Sequence, residues 1–398
     1  MRVWHLTSTG ILVAISAVLP RAQGTRIVIA ASAIIDGRGA VLRDTRVVVE
    51  GRKIVAIDPK AAPVDYDLRG ATLMPGWIDT HVHINWHFDA NHKSVSGGDK
   101  PEEAALATAD DAWATLMGGF TTVQSVGAAI DAAVRDHVNR GLLPGPRILT
   151  SFRQINDKSG DPAALRALVR QTKADGADVI KLFATTGLGA GGNQSMTNEQ
   201  IEATCGEAKA AGLRAVVHAI GDPGARAAVN AGCTSIEHGT FLTDATLELM
   251  ASRGTYFDPN LLVLHNYLDN RSGFTFTPEA LATLEKGIAP TIDVLRRARA
   301  KHVKIIFGTD AVAGAHGRNA EEFVYRVRDA HEKPMDAIVS ATSLSAESIG
   351  LGDTIGTIAP NYDADLVAVI GNPLDDITAV RRAVFVMKGG QVFKHVAR

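Results

Sequence analysis

The 398 residues carry 43 acidic and 41 basic side chains, for a formal net charge of −2, and 46% of them are hydrophobic. A chain of this size can bury one large core and support a smaller second domain, and its near-neutral balance excludes the strong basic excess of a nucleic-acid binder and the acidic block of a disordered tail. Aromatics make up only 5% while glycines number 38, which suits short strands alternating with helices of small residues.

Arg2 precedes an apolar stretch from Gly10 to Leu19 and small residues after it, which predicts a signal peptide over residues 1–23. The stretch is shorter than the ~20 residues that span a bilayer. The expected location is therefore periplasmic or secreted, with no membrane attachment after leader removal. Over residues 24–74, short alternating runs at Arg26–Ala30 and Arg46–Ile57, with a turn at Glu50-Gly51-Arg52, predict strands. Over residues 75–354, apolar runs alternate with Ala-rich helical stretches. The runs are Trp77–Val82, Thr121–Val126, Arg147–Thr150, Val179–Phe183, Arg214–His218, Ser235–His238, Thr255–Phe257 and Lys304–Phe307. Eight buried runs separated by helical segments predict an α/β fold, a parallel (β/α)8 TIM barrel. Over residues 355–398 strands return, at Ala364–Ile370 and Ala383–Val392. The two β-rich chain ends are expected to pair as one small discontinuous β-sandwich domain beside the barrel. Cys205 and Cys233 read as two free buried thiols, although an oxidising compartment permits a disulfide.

The chemistry concentrates at strand ends. In Asp79-Thr80-His81-Val82-His83, residues two apart on a strand point the same way, so His81 and His83 can share one ion. Two solvated loop histidines are the plainer explanation of such a pair taken alone. Context outweighs that explanation, because Lys181, His218, His238 and Asp310 also sit at or near the carboxyl ends of predicted strands, the face on which barrel active sites lie.

Gly76-Trp-Ile-Asp-Thr-His-Val-His83 resembles the metal-binding opening of the amidohydrolase superfamily. The resemblance continues through Gly119-Phe-Thr-Thr-Val123, Gly145-Pro-Arg147, Gly176-Ala-Asp-Val-Ile-Lys181, Ser235-Ile-Glu-His-Gly239, Gly308-Thr-Asp-Ala311 and Ala364-Asp-Leu-Val367. The sequence is most similar to the dipeptidase and prolidase-like members and to imidazolonepropionase. The resemblance implies two divalent metal ions, with His81, His83 and Asp310 on the first and His218 and His238 on the second. It also implies that carbon dioxide converts Lys181 into a bridging carbamate. Without that reaction Lys181 would be a salt-bridge lysine or a substrate contact. Imidazole and carboxylate ligands suit zinc.

The implied reaction is attack of a metal-bridging hydroxide on an amide carbonyl, with Asp310 taking the proton and delivering it to the leaving nitrogen. The expected small-molecule substrate is a dipeptide or N-acyl amino acid. Hydrolysis of a cyclic amide or a lactone or other ester is the alternative, and a non-catalytic binding protein is disfavoured because all six ligands are present. Deaminases of the superfamily resemble a pattern with Glu three residues after the fifth-strand histidine, where this chain has Gly221. Tyr267, His316 and Arg318 are the candidate substrate contacts, while His87 and His92 read as loop histidines. Gln124-Ser125, the stretch after Thr150 and His218-Ala-Ile220 depart from the dipeptidase pattern and alter the pocket wall. The glycine-rich stretch Thr185–Gln194 is expected to act as a mobile lid rather than a phosphate cradle. Association into a homo-oligomer is left open.

Overall fold

A computed structural model describes residues 25–396; the leader expected over residues 1–23 lies outside the described residues. The two chain ends meet in one sheet. Arg26–Ile35 pairs antiparallel with Val41–Glu50, which pairs antiparallel with Lys53–Ile57 around the turn at Gly51. Ala71–Pro75 lies beside Arg26–Ile35 and antiparallel to Leu366–Ile370, followed by Ala383–Lys388 and Gln391–His395. Ile29, Val47, Leu73, Leu366 and Phe385 fill its core, because alternate positions of each strand turn inward.

Gly76 joins this sheet to the catalytic half. A Cβ there would lie 2.2 Å from Thr121 Oγ1, so only glycine lets Ala71–Pro75 run directly into Trp77–Val82. Beyond it lie two parallel sheets. One holds Trp77–Val82, Phe120–Ser125 and Arg147–Thr150; the other holds Gln154–Ile155, Val179–Phe183, Arg214–Gly221, Ser235–Phe241 and Tyr256–Asp258. Asp178 N donates to Thr150 O across the first junction, at 2.9 Å.

The eighth predicted strand forms no ladder. Residues 304–311 instead run between Tyr256–Asp258 and Trp77–Val82, tied by isolated parallel bridges, Phe257 with Ile305 and Val82 with Ala311, and by Thr80 N donating to Phe307 O at 2.8 Å. The expected unbroken barrel is therefore not drawn by the hydrogen bonds, because side chains take over part of the pairing here. Asp258 Oδ1 accepts from Gly308 N, and Asp79 Oδ1 accepts from Thr309 N.

Helices follow the parallel strands and pack on their outer face through Leu165, Val169, Ile201 and Leu247. Their starts are set by side chains. Asp161 accepts from Ala164 N, Thr243 accepts from Thr246 N, and Thr197 and Gln200 form a reciprocal cap, each such cap contributing roughly 1 kcal/mol. No described helix is long and apolar enough to cross a membrane. Cys205, in helix Asn198–Ala210, is bonded to Cys233, in the turn before Ser235–Phe241. This corrects the expectation of two free thiols: the cysteines are 28 residues apart in sequence, and the packing of helix on strand brings their Cα atoms to 5.3 Å.

Candidate metal centre

The six predicted ligands converge at the carboxyl ends of the parallel strands. His81 comes from the end of Trp77–Val82 and His83 from just beyond it. His83 Nε2 lies 3.1 Å and His81 Nε2 3.3 Å from Asp310 Oδ1. Lys181, on Val179–Phe183, brings Nζ to 3.0 Å from His81 Nε2. The His238 ring stands 5.4 Å from the His81 ring and 4.6 Å from the His218 ring, centroid to centroid. His218 Nε2 lies 3.3 Å from Thr186 O. His81, His238 and Asp310 each offer a ligand atom within 4.8 Å of the others.

Two of these residues reach the cluster through strained backbone. His238 has φ +69° and Asp310 φ +50°, the left-handed region that side chains with a Cβ avoid at a cost of about 1–3 kcal/mol. Asp310 N donates to His81 O at 2.7 Å and His238 N donates to Asn260 Oδ1 at 3.2 Å, which fixes both bends.

Burial governs the protonation states. It holds the His81 and His238 imidazoles well below their usual range, with the Lys181 charge adding to the effect, and pushes His218 down to about 4. Burial alone would raise the Asp310 carboxyl, yet His81, His83 and Lys181 hold it down to about 2. Lys181 is fully buried, and desolvation lowers its pKa. Neutral imidazoles and an ionised carboxylate converging in a buried cluster are a donor set that fits divalent cations, zinc among them.

Sequence reasoning missed the layer behind the ligands. Glu237 Oε2 accepts from His81 Nδ1 at 2.9 Å, and both residues are buried. That bond leaves the Nε2 lone pair facing the cluster. Ser235 Oγ donates to the other Glu237 oxygen. Asp258 accepts from Thr80 Oγ1 at 2.8 Å, and Asp79 accepts from Thr309 Oγ1 at 2.6 Å and Asn319 Nδ2 at 2.7 Å. Gln154 Nε2 stands 3.5 Å from His83 Nδ1. The available signal was a set of carboxylates inside otherwise apolar strand runs.

Beside His218, His238 and Asp310 opens a cavity of about 170 Å3, and Tyr267 lines it. The other two candidate substrate contacts lie elsewhere. His316 is buried behind the cluster, its Nε2 3.2 Å from Trp86 O and 3.8 Å from Asp111 Oδ2. Arg318 is exposed and pairs with Asp269 at 3.2 Å. Gly314 and Gly317, at φ +83° and +81°, lie between Asp310 and Arg318. His87, expected in a loop, lies in the short strand His87–Phe88, paired with Ser94–Val95, and faces Asp99; His92, in the turn between those strands, packs against Phe88. The glycine-rich stretch is a tied hairpin over the cavity. Thr186 N donates to Asn193 O, and Leu188 packs on Gly287, where a Cβ would lie 2.3 Å from Leu188 Cδ2.

A buried carboxylate–imidazole cluster with a lysine, set at the carboxyl ends of parallel strands, defines a metal-dependent hydrolase. The amidohydrolase family model matches residues 72–393, and the chain belongs to that family. It is 25% identical over 418 residues to ochratoxinase of Aspergillus niger, covering 92% of this chain and 86% of that protein. It is 25% identical over 374 residues to imidazolonepropionase of Salinispora arenicola, covering 83% and 87%. Among solved structures, a Xaa-Pro dipeptidase with bound methionine superposes with a TM-score of 0.86 at 32% identity, covering 93% of this chain and all of that one (100%).

Proposed function

We propose that this chain hydrolyses the amide bond of a small substrate such as a dipeptide or N-acyl amino acid, with two divalent cations and with Asp310 as the proton carrier. The observation that carries this reading is the convergence of His81, His83, Lys181, His218, His238 and Asp310, drawn from five separate chain segments, on one buried point. His81, His83 and Asp310 would hold one cation, and His218 and His238 the other. Lys181 has no carboxylate within ion-pair distance among the described residues, and burial favours its free amine, the form that adds carbon dioxide to give a carbamate. When bound, such cations acidify a water and polarise the scissile carbonyl. Asp310, ionised at neutral pH, accepts the proton of the attacking water and returns it to the leaving nitrogen. Tyr267, on the cavity wall, offers its hydroxyl to the substrate.

The remaining expectations join this proposal. Residues 75–354 form the hydrolase barrel, and residues 24–74 with 355–398 form the small β-sandwich. The chain is exported, a reading supported by the apolar leader and by a disulfide, which oxidising compartments maintain. Similarity to imidazolonepropionase favours cyclic-amide hydrolysis as the second reading. The test is turnover of N-acyl amino acids, dipeptides, cyclic amides and lactones by zinc-loaded protein, with metal counted per chain. Turnover of linear amides with about two zinc ions per chain is expected. Asp310→Asn should keep the fold and lose about a thousandfold or more in kcat, on the scale of an essential proton carrier. An active Asn variant refutes the role of Asp310, and protein that binds no metal refutes the reading as a whole.

A further inference from the structure

We propose that one group flanking the scissile amide is an uncharged aryl or branched alkyl group about one ring in size, seated in the cavity beside His238 and Asp310 and anchored by the side-chain amide of Asn260. This specificity rests on the amide-hydrolase reading above and goes further, because it selects among amides.

The wall carries the argument. Leu188, Ile220, Val263, Leu264, Phe276 and Leu284 line the cavity, and among the described residues no lysine or arginine does. Arg318 and Arg153 are engaged elsewhere, with Asp269 and with Asp175. A carboxylate or ammonium pushed against these six apolar side chains would lose its water and gain no ionic partner from them, a penalty that neutral apolar groups escape. The size is matched as well. The cavity holds about 170 Å3, and an apolar protein cavity of about 150 Å3 takes a benzene ring.

Besides the cluster residues and Tyr267, the polar side chains of the lining are Thr240, Thr291 and Asn260. Thr240 and Thr291 hydroxyls bond each other at 3.0 Å, and Thr291 Oγ1 donates to Gly287 O at 2.9 Å. Asn260 differs. Its Oδ1 accepts from His238 N, but its Nδ2 is buried with no hydrogen-bond partner among the described residues. Native proteins seldom leave such a donor unpaired, since its desolvation is uncompensated until something accepts from it. Asn260 is also held at φ +52° at the start of helix Leu261–Asp269, a conformation that recurs at ligand sites. A substrate oxygen beside the apolar group is the missing acceptor.

The experiment uses the zinc-loaded full chain and two series of amides, one varied on the acyl side and one on the amine side. Each series carries phenyl, isobutyl, carboxyethyl and aminobutyl groups. In one series kcat/KM for phenyl and isobutyl should exceed that for the charged groups by about 100-fold. Turnover without that preference in either series overturns this proposal and leaves amide hydrolysis standing; no turnover of any amide overturns both. Val263→Phe, which fills the cavity, should lower kcat/KM for the phenyl substrate at least about tenfold through KM. Val263→Ala, which cannot fail by overpacking, should shift preference toward a naphthyl group. Unchanged preference in both variants overturns the seat. Asn260→Asp should lower kcat/KM about tenfold or more with its thermal midpoint held. A shifted midpoint with intact kinetics would make Asn260 purely structural and overturn the anchor.

Discussion

His81 is the hub of the cluster: its Nε2 faces Lys181 at 3.0 Å and Asp310 at 3.3 Å, while its Nδ1 donates to Glu237 at 2.9 Å. Replacing Glu237 with methionine keeps the volume and removes the acceptor. The first consequence is a buried N–H without a partner, which costs about 1–3 kcal/mol. The second is a ring no longer fixed in tautomer or orientation, and carboxylates behind metal-holding imidazoles contribute about 10–100-fold in metal affinity. The two estimates describe the same bond and agree in size, since tenfold is about 1.4 kcal/mol. Zinc affinity, measured by competition with a chelating dye, should therefore fall about 10–100-fold in Glu237→Met. Glu237→Gln is the informative partner. Its carbonyl can still accept from His81, and Ser235 Oγ can turn from donor to acceptor for the new amide N–H, so the loss should stay within about fivefold. An affinity in the methionine variant equal to the parent's would refute the reasoning. So would a glutamine variant that loses as much as the methionine one, because charge rather than the hydrogen bond would then be responsible.

Three further predictions concern the scaffold. Replacing both Cys205 and Cys233 with alanine opens a loop of 28 residues, and the unfolded-chain entropy it frees should lower stability by about 3–4 kcal/mol in denaturant unfolding; an unchanged midpoint would refute this. Arg326 and Glu332 form a buried bidentate pair at 2.7 and 3.1 Å, so Glu332→Gln strands a guanidinium and should cost about 3 kcal/mol, or about 4 °C for a chain of this length. The apolar double variant Arg326→Met/Glu332→Leu should recover most of that loss, and failure to recover it would mean that the pair's hydrogen bonds, not its charge balance, matter. Asp111 Oδ2 has no hydrogen-bond partner among the described residues, and burial pushes its carboxyl up to about 8, with Asp110 adding to the rise. A raised folded pKa means that the folded state keeps its proton while the unfolded chain releases it, so stability falls as pH rises from about 4 to about 8. The thermal midpoint of Asp111→Asn relative to the parent should accordingly be higher at pH 8 than at pH 5; an equal difference at both values would refute the assignment.

The sequence exposed those parts of the site that follow from local periodicity. His81 and His83 are readable because strand geometry places alternate residues on one face, and Trp77–Val82, Arg147–Thr150 and Val179–Phe183 have the bounds their apolar runs suggest. What depends on distant partners was hidden. Glu237 interrupts an apolar run, and its reason for doing so is His81, 156 residues away. Asp79 is likewise explained by Thr309 and Asn319, and Asp258 by Thr80 and Gly308. The disulfide depended on helix packing that no spacing rule contains. Arg318 stands exposed against Asp269, with left-handed residues Gly314 and Gly317 between it and Asp310, and glycine identity alone does not give the direction of a turn.

The same polar layer explains why the eighth segment is not a strand. A regular strand through residues 304–311 would alternate its side chains across the sheet and satisfy its backbone on neighbours of both sides. Here Asp258 and Asp79 take the N–H groups of Gly308 and Thr309, which frees the chain to bend. The space allows nothing larger than glycine beside Asp258, since a Cβ on Gly308 would lie 1.9 Å from Asp258 Oδ2. The bend then delivers Asp310, in its left-handed conformation, to His81 and His83. Loss of ladder regularity and placement of the carboxylate are thus two outcomes of one arrangement. A local weakness in the sheet is tolerated because buried aspartates replace its hydrogen bonds, and the strain at Asp310 is held by the backbone bond to His81 O.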